Sequence, residues 1–190
     1  MFYNIVKIIL KPIFHIIFRL EIENKIDLQN KGRLIICANH INLLDPLILA
    51  VSTNRQISFI AKKELFENKF VAYILRSFNA IPVDRDNIDL KAIKSSVKIL
   101  KEDKILGIFP EGTRVKEVSF DNIKNGISYI ALKGDSDILP IQIQGKYGLF
   151  KKIKVVYKDI IQISQYEDLS KSEKYQQIAL DVYKSIYDIK

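Results

Sequence analysis

Polar residues recur at steps of three or four along the first 20 positions, in a segment that is otherwise almost entirely apolar. A helix turns once about every 3.6 residues, which matches the spacing of these polar positions. In a helix the polar side chains would therefore form one narrow stripe beside a broad apolar surface. The members of the stripe are Asn4, Lys7, Lys11, His15 and Arg19. Such a helix suits the interface of a membrane, and the alternative is that it packs on the core of its own domain.

The same segment lacks the pattern of a membrane-spanning helix or of a secretory signal peptide. Cations recur at every turn, which disfavours burial in hydrocarbon, and no small-residue cleavage site follows. Pro12 has no backbone N–H, so we expect it to kink the helix or to restart it near residue 11. We therefore expect residues 1–28 to be a membrane-associating helical segment and residues 29–190 to be the main domain.

Beyond residue 28, short apolar runs alternate with longer amphipathic segments. The short runs predict buried strands, and apolar positions spaced by three and four residues predict helices. The predicted strands cover residues 34–38, 57–61, 80–86, 105–109, 138–143 and 154–157, and the predicted helices cover residues 46–51, 69–78, 90–101, 127–133 and 171–188. This alternation predicts a single α/β domain with a mixed, mostly parallel sheet flanked by helices.

Charge and cysteine content narrow the possible partners. The 30 basic and 22 acidic side chains give a net charge of +8, which favours an anionic partner: phospholipid headgroups, nucleic acid or a phosphorylated metabolite. Nucleic acid has no further support, because the sequence contains no zinc-finger spacing, no aromatic RNA-binding strand and no Arg-rich helix. Cys37 is the single cysteine, which excludes an internal disulfide, and its apolar neighbours predict a buried, unreactive thiol.

His40 and Asp45 are the strongest candidates for chemistry. A histidine serves as a general base near neutral pH when a carboxylate accepts one ring N–H and so fixes the tautomer. Five helical steps of about 100° would leave the two side chains about 140° apart, so they meet only if the chain turns between them. Asp45 before Pro46 predicts a helix N-cap, which places His40 at a strand end, where α/β sheets carry active sites. The alternative is that Asp45 only caps the helix.

Three other strand ends carry side chains suited to an anion. Lys62 closes the second predicted strand, and the Asp84–Arg85 pair at the third is either a surface ion pair or a guanidinium placed for a phosphate. At residues 110–114, the sequence Pro-Glu-Gly-Thr-Arg combines a rigid residue, a flexible glycine and two hydrogen-bond donors. Strand ends can converge on one cleft, so this turn is the expected anion-binding partner of His40.

Taken together, these motifs resemble the 1-acylglycerol-3-phosphate acyltransferase family in content and in order. The matching segments are Asn39-His40-x4-Asp45, Ala61-Lys62-Lys63-Glu64-Leu65, Ile81-Pro82-Val83-Asp84-Arg85, Phe109-Pro110-Glu111-Gly112-Thr113-Arg114 and Leu139-Pro140-Ile141. The resemblance covers about residues 30–145. One such motif could arise by chance, but the ordered set is highly specific and disfavours an accidental histidine–aspartate pair.

The resemblance implies acyl transfer from a thioester of coenzyme A or acyl carrier protein to the free hydroxyl of 1-acylglycerol 3-phosphate, giving phosphatidic acid. The thioester is a co-substrate, and no bound cofactor or metal is implied. On this mapping His40 is the general base, and Asp45 orients it and stabilises the imidazolium. The residues mapped to substrate binding are Asn39, Lys62, Arg85, Glu111, Gly112, Thr113 and Arg114.

The sequence departs from the family pattern at two places. Asn42 stands where the family often has serine, so a side-chain donor is retained, and a glycine usual near Asn79 or Ala80 is absent. The resemblance also implies an acyltransferase domain over residues 29–190, and the segment before it lets the active site draw lipid from the cytoplasmic face of the cell membrane. Two alternatives remain: a related acyltransferase with another acceptor, such as glycerol 3-phosphate, another lysophospholipid or an amino-acid lipid, and a non-catalytic protein that binds anionic lipid at a membrane surface.

Overall fold

The computed structural model describes residues 2–84, 89–113, 119–120 and 126–189. Within these ranges strands and helices largely alternate, as the sequence predicts, with short 3-10 helices over Lys63–Phe66 and Ile163–Tyr166. The α-helices are α1 Phe2–Ile17, α2 Asp45–Ser52, α3 Lys69–Ser77, α4 Leu90–Lys101, α5 Gly126–Gly134 and α6 Lys171–Tyr187. The strands are β1 Glu21–Glu23, β2 Leu34–Ala38, β3 Ile57–Lys62, β4 Ile81–Val83, β5 Ile105–Ile108, β6 Ile138–Gly145 and β7 Ile153–Tyr157.

These strands form one sheet in the order β1-β7-β6-β2-β5-β3-β4. Neighbouring strands run parallel except for β6 and β7, which are antiparallel. The predicted mixed, mostly parallel sheet is therefore confirmed. Pro82 lies in β4 at one edge of the sheet, where the missing N–H removes no bond to a further strand.

Strand β1 at the other edge was not predicted from the sequence. It consists of Glu-Ile-Glu, which is too short and too polar to stand out as an apolar run, and it pairs in parallel with β7. Leu28, a few residues later, is fully buried in the core. Residues 1–28 therefore contribute a strand and a core side chain to the sheet domain, in addition to the expected helix.

Helices cover both faces of the sheet, and the side chains of β2 alternate between the two cores. Leu34, Ile36 and Ala38 pack in the core that contains side chains of α1 and α2. Ile35 and Cys37 pack in the opposite core, which contains side chains of α4, α5 and α6. Burial raises the pKa of the Cys37 thiol well above its ordinary value, in line with the unreactive cysteine predicted from its apolar neighbours.

Helix α1 runs through Pro12 and is apolar on two sides. Tyr3 and Phe14 are buried on the side that packs against the protein. Lys7, a member of the polar stripe, donates through Nζ to the carbonyl of Thr53 at the end of α2. The other side exposes a set of isoleucines: Ile5, Ile8, Ile9, Ile13 and Ile16. No helix among the described residues is long and apolar enough to cross a membrane.

Gly107 in β5 leaves room for the ring of Phe59 on the neighbouring strand β3. A β-carbon at position 107 would lie 2.4 Å from Cε1 of Phe59 and 2.7 Å from Cγ2 of Ile57, far inside van der Waals contact. We expect Gly107→Ala to lower the free energy of unfolding by about 1–3 kcal/mol, the usual cost of overpacking a core. Urea unfolding of variant and parent measures the difference.

Gly126→Ala at the start of α5 is the matched control. There an added β-carbon has no atom of the described residues within 4 Å. Because alanine is a better helix former than glycine, this change should leave the free energy of unfolding unchanged or raise it by up to about 1 kcal/mol. Equal stability of the Gly107→Ala variant and the parent would show that the Phe59 ring moves aside without cost.

Candidate active site

The carboxyl ends of β2 and β5 meet at one edge of the sheet. The two strands are parallel neighbours, with Cys37 paired to Ile108, so the residues that follow them lie side by side. The imidazole of His40 stacks on the ring of Phe109, with ring centroids 4.3 Å apart. The fold thus brings together the histidine and the turn that begins at Phe109, as the sequence predicts.

The Asp45 carboxylate is fully buried and accepts four hydrogen bonds. Its Oδ2 atom lies 2.8 Å from Nδ1 of His40 and 2.7 Å from the backbone nitrogens of both Ile41 and Asn42. Its Oδ1 atom accepts the hydroxyl of Tyr147 at 2.6 Å. The chain therefore turns between His40 and Asp45, as their spacing requires, and the turn wraps around the carboxylate.

The prediction that Asp45 is the N-cap of the helix is wrong. Helix α2 begins at Asp45, its cap residue is Leu44, and no side chain caps this helix end. The carboxylate instead turns back to the amides of the preceding loop. Asn42 supports that loop by accepting the N–H of Leu44 at 3.0 Å through its side-chain oxygen. The side chain expected to be a donor at position 42 thus serves as an acceptor.

The bond to Asp45 fixes the tautomer of His40. Because a carboxylate accepts hydrogen bonds, the neutral imidazole carries its proton on Nδ1, which leaves the lone pair on Nε2. Among the described residues, none forms a hydrogen bond with Nε2, and the ring borders the cavity described below. His40 is therefore held in the form that a general base needs, with the basic nitrogen free for a substrate.

Asn39 anchors the end of β2 to β6. Its side-chain Nδ2 donates to the carbonyl of Ile143 at 2.9 Å, and its Oδ1 accepts the N–H of the same residue at 2.7 Å. The carboxamide is buried and so fixes the position from which the His40 loop departs. The expected contact of Asn39 with substrate stays a prediction.

Glu111 points into the protein and contacts α6. It is 3% exposed, Oε1 accepts the hydroxyl of Tyr187, and Oε2 has no hydrogen-bond partner among the described residues. Burial raises the pKa of its carboxyl, and the hydrogen bond from Tyr187 opposes this effect. Gly112 closes the turn with φ +68° and an N–H bond to the carbonyl of Phe109. Thr113, which follows, is exposed.

The structure describes one of the three predicted cations. Lys62 ends β3, the neighbour of β5, and borders the same cavity as His40. Its Nζ atom lies 3.5 Å from Oε1 of Glu64. Arg85 and Arg114 lie outside the described residues, so their predicted parts in substrate binding stay predictions.

An apolar cavity of about 240 Å³ lies beside His40. Side chains from α2, β3 and α3 and the adjoining turns form its walls, including Pro46, Leu47, Phe59, Ala61, Ile74 and Phe78. Among its described lining residues, His40 and Lys62 are the polar ones. Such a space suits an alkyl chain, with the reactive group of the same molecule at His40.

Tyr147 was not predicted from the sequence. It follows β6, and its ring packs edge-on against Phe18 with centroids 5.4 Å apart. Burial and the neighbouring Asp45 carboxylate raise the pKa of its hydroxyl, which keeps the proton that it donates. Its position at a strand end was an available signal, but it is one of nine tyrosines, and its partner is 102 residues away.

A fixed imidazole at a strand end beside an apolar cavity is an arrangement suited to general-base chemistry on a substrate with a long apolar group. Residues 19–144 match the protein family described as Acyltransferase. The chain belongs to this acyltransferase family, which confirms the resemblance found in its motifs.

Curated relatives carry a more specific name. A 1-acyl-sn-glycerol-3-phosphate acyltransferase of Bacillus subtilis strain 168 is 37% identical over 150 residues, which are 77% of this chain and 74% of that protein. The enzyme of the same name from Streptococcus pneumoniae is 34% identical over 124 residues, which are 64% of this chain and 45% of that protein. The chain thus matches about half the length of the second relative.

A solved structure shows the same fold. The 1-acyl-sn-glycerophosphate acyltransferase PlsC from Thermotoga maritima superposes with a TM-score of 0.72 over 96% of this chain and 77% of its own. At 20% sequence identity, this likeness establishes the shared fold.

Tyr147→Phe removes the hydroxyl that binds Asp45 and keeps the ring that packs on Phe18. The donated bond draws charge from the carboxylate, so its loss lets Asp45 stabilise the protonated imidazole more strongly. The acid limb of the kcat/KM profile for acyl transfer should therefore move to higher pH by about half a unit to one unit. Rate measurements over a pH series test this shift.

Tyr166→Phe is the matched control, because Tyr166 also donates to a carboxylate, Oδ2 of Asp181 at 2.7 Å, in the helical layer on the opposite face of the sheet. It should leave the acid limb where the parent has it. Coincident profiles for the parent and Tyr147→Phe would show that the Tyr147 hydroxyl does not act on the histidine–aspartate pair.

Proposed function

We propose that this protein transfers an acyl group from a thioester to the free hydroxyl of 1-acylglycerol 3-phosphate, forming phosphatidic acid. The observation that carries the proposal is the His40 imidazole, tied through Nδ1 to Asp45 and bordering an apolar cavity with its other nitrogen unoccupied by any described residue. Family membership and the names of the curated relatives support this reaction and this acceptor.

The reaction proceeds by direct attack on the thioester. Nε2 of His40 takes the proton of the acceptor hydroxyl as its oxygen bonds to the thioester carbonyl carbon. The tetrahedral adduct then expels the thiolate, and the imidazolium returns the proton to the departing sulfur. The Asp45 carboxylate stabilises the imidazolium. Because the acceptor oxygen attacks the thioester directly, no covalent acyl-enzyme is needed.

The cavity holds the transferred acyl chain. Its walls are apolar, and His40 is part of its lining, so a chain lying inside it brings its thioester carbonyl to the histidine. The coenzyme A or acyl carrier protein attached to the sulfur then lies outside the cavity. The donor is a co-substrate that leaves after transfer.

The phosphate of the acceptor is held by cations and donors at the neighbouring strand ends. Lys62 is close enough to His40 to border the same cavity. Gly112 and the exposed Thr113 follow β5 in the turn that carries Phe109. Arg85 and Arg114 complete this phosphate site on the basis of their motifs in the sequence.

The protein works at a membrane surface, on its cytoplasmic face. The exposed isoleucines of α1 form an apolar surface whose exposure to water is unfavourable. The net charge of +8 attracts anionic lipid headgroups. The acceptor carries an acyl chain, so it is concentrated at the same surface.

His40→Ala should lower kcat for acyl transfer by about 10²–10⁴-fold, because the acceptor hydroxyl loses its base. The assay follows phosphatidic acid formed by purified protein from an acyl thioester and lysophosphatidic acid in detergent micelles. Other acceptors, such as glycerol 3-phosphate, are offered in parallel. Faster use of one of these by the parent would assign a different acceptor.

His15→Ala is the matched control for the histidine. His15 is exposed on α1 and bonds through Nδ1 to the carbonyl of Lys11 in its own helix. Its replacement should leave kcat in micelles at the parent value. Parental turnover by a folded His40→Ala protein would refute the proposed base.

Ala80→Leu tests the cavity, because Ala80 is part of its lining and a larger side chain shortens the space available. We expect kcat/KM to fall by about tenfold or more for the longest acyl thioester that the parent accepts. Short thioesters should react at the parent rate and so serve as an internal control. An equal loss at every chain length would place the acyl chain elsewhere.

A further inference from the structure

Residues 146–152 form the β6–β7 loop, which presents two large apolar side chains to solvent. Leu149 is 73% exposed and Phe150 is 66% exposed. They occupy the tip of a turn that the N–H of Lys151 closes on the carbonyl of Gly148 at 3.1 Å. Turn tips usually carry glycine, proline or small polar residues, so adjacent leucine and phenylalanine at this position need an explanation.

The backbone also disfavours phenylalanine at position 150. Its φ angle is +58°, in the left-handed region that glycine and asparagine adopt more readily than bulky residues. The side chain therefore lacks both a favourable backbone conformation and burial against the protein. A partner that covers the ring would account for its presence.

The loop is held in a defined position at its base. Gly145 has φ +114°, and a β-carbon there would lie 2.3 Å from the carbonyl oxygen of Lys152, so the two ends of the loop approach too closely for a side chain. Glycine is therefore required at the base of the loop.

Hydrogen bonds attach the loop to the end of helix α1. The N–H of Phe150 donates to the carbonyl of Ile17 at 2.6 Å, and the N–H of Ile153 donates to the carbonyl of Phe18 at 2.9 Å. Ile16, which is 65% exposed, belongs to the outward apolar face of the same helix. The tip of the loop thus lies next to the apolar surface of α1.

Cations flank the apolar tip. Lys146 and Lys151 are exposed on either side of it, and neither forms an ion pair with a described residue. Lys152 pairs with Glu21 at 2.7 Å. Contacts with anionic bilayers typically combine the two kinds of side chain. The apolar ones enter the acyl-chain region, and neighbouring lysines stay among the headgroups.

We propose that the β6–β7 loop is a second bilayer contact of this protein, in which Leu149 and Phe150 enter the lipid beside α1. The inference extends the proposed function, because it assumes that α1 lies on the membrane. The same loop contains Tyr147, whose hydroxyl binds Asp45. Lipid that covers the tip therefore restrains the segment from which Tyr147 reaches the Asp45 carboxylate.

The test is binding of the full-length double variant Leu149→Ser/Phe150→Asn to vesicles of phosphatidylglycerol and phosphatidylcholine, measured by sedimentation. We expect the partition coefficient to fall by about tenfold for each side chain removed from lipid. Asparagine accepts the positive φ at position 150, so the thermal unfolding temperature should not fall. Weaker binding by a fully folded variant is the supporting result.

Two variants separate the loop from general effects. Leu169→Ser changes an exposed leucine that precedes α6, on the opposite face of the sheet, and should bind vesicles as the parent does. Ile8→Ser/Ile16→Ser removes the α1 contact alone. If the loop variant binds vesicles as the parent does, the inference is overturned. This holds even if the α1 variant loses binding, a result that would support the α1 contact alone.

Two further outcomes distinguish the loop from the reaction. Vesicle binding does not require catalysis, so His40→Ala should bind vesicles as the parent does. Weaker binding by the loop variant therefore supports the inference even if the parent shows no acyl transfer. The loop variant could instead bind vesicles as the parent does and lose turnover only with an acyl-carrier-protein donor. That result would overturn the inference, because the loop would then be a protein contact.

Discussion

The Asp45 carboxylate has no contact with solvent. Hydrogen-bond donors surround it, and they come from two distant parts of the chain, the His40 loop and Tyr147. A buried carboxylate is costly unless its lone pairs are satisfied, and here both oxygens accept hydrogen bonds. Two of the four donors are amides of the loop that leads from His40 to Asp45. One interaction therefore fixes both the shape of the loop and the tautomer of the histidine. Any change that moves the carboxylate disturbs the loop and the imidazole together.

The parallel sheet supplies the other parts of the site. Strand β2 lies between β6 and β5, so its carboxyl end has a neighbour on each side. On one side, Ile143 of β6 holds Asn39, and Tyr147 reaches Asp45 from the loop beyond. On the other side, β5 delivers Phe109 to the face of the imidazole. The imidazole is thus fixed from both sides before any substrate binds.

Much of this arrangement could be predicted from the sequence, because apolar runs locate the central strands and motifs at their ends locate His40 and the Phe109 turn. The predictions failed where the decisive contact is distant or the signal is short. Strand β1 has only three residues and is recognised by its pairing with β7. The N-cap assignment of Asp45 was wrong because an aspartate before a helical proline normally caps the helix, whereas this carboxylate binds the loop before it. Tyr147 was missed, since its position at a strand end does not by itself mark it as the partner of a carboxylate 102 residues away.

Helix α1 shows why composition alone could not choose between packing on the core and contact with lipid. Its apolar residues divide between two faces, and Phe14 is 6% exposed while Ile8 is 72% exposed. Leu43 and Leu65, which border the cavity, are also exposed, so the apolar lining extends to the protein surface. On the proposed membrane surface, the acyl chain of the donor can enter the cavity along these side chains. The apolar chain then avoids contact with water. Exclusion of water from the cavity also strengthens the interaction of His40 with Asp45.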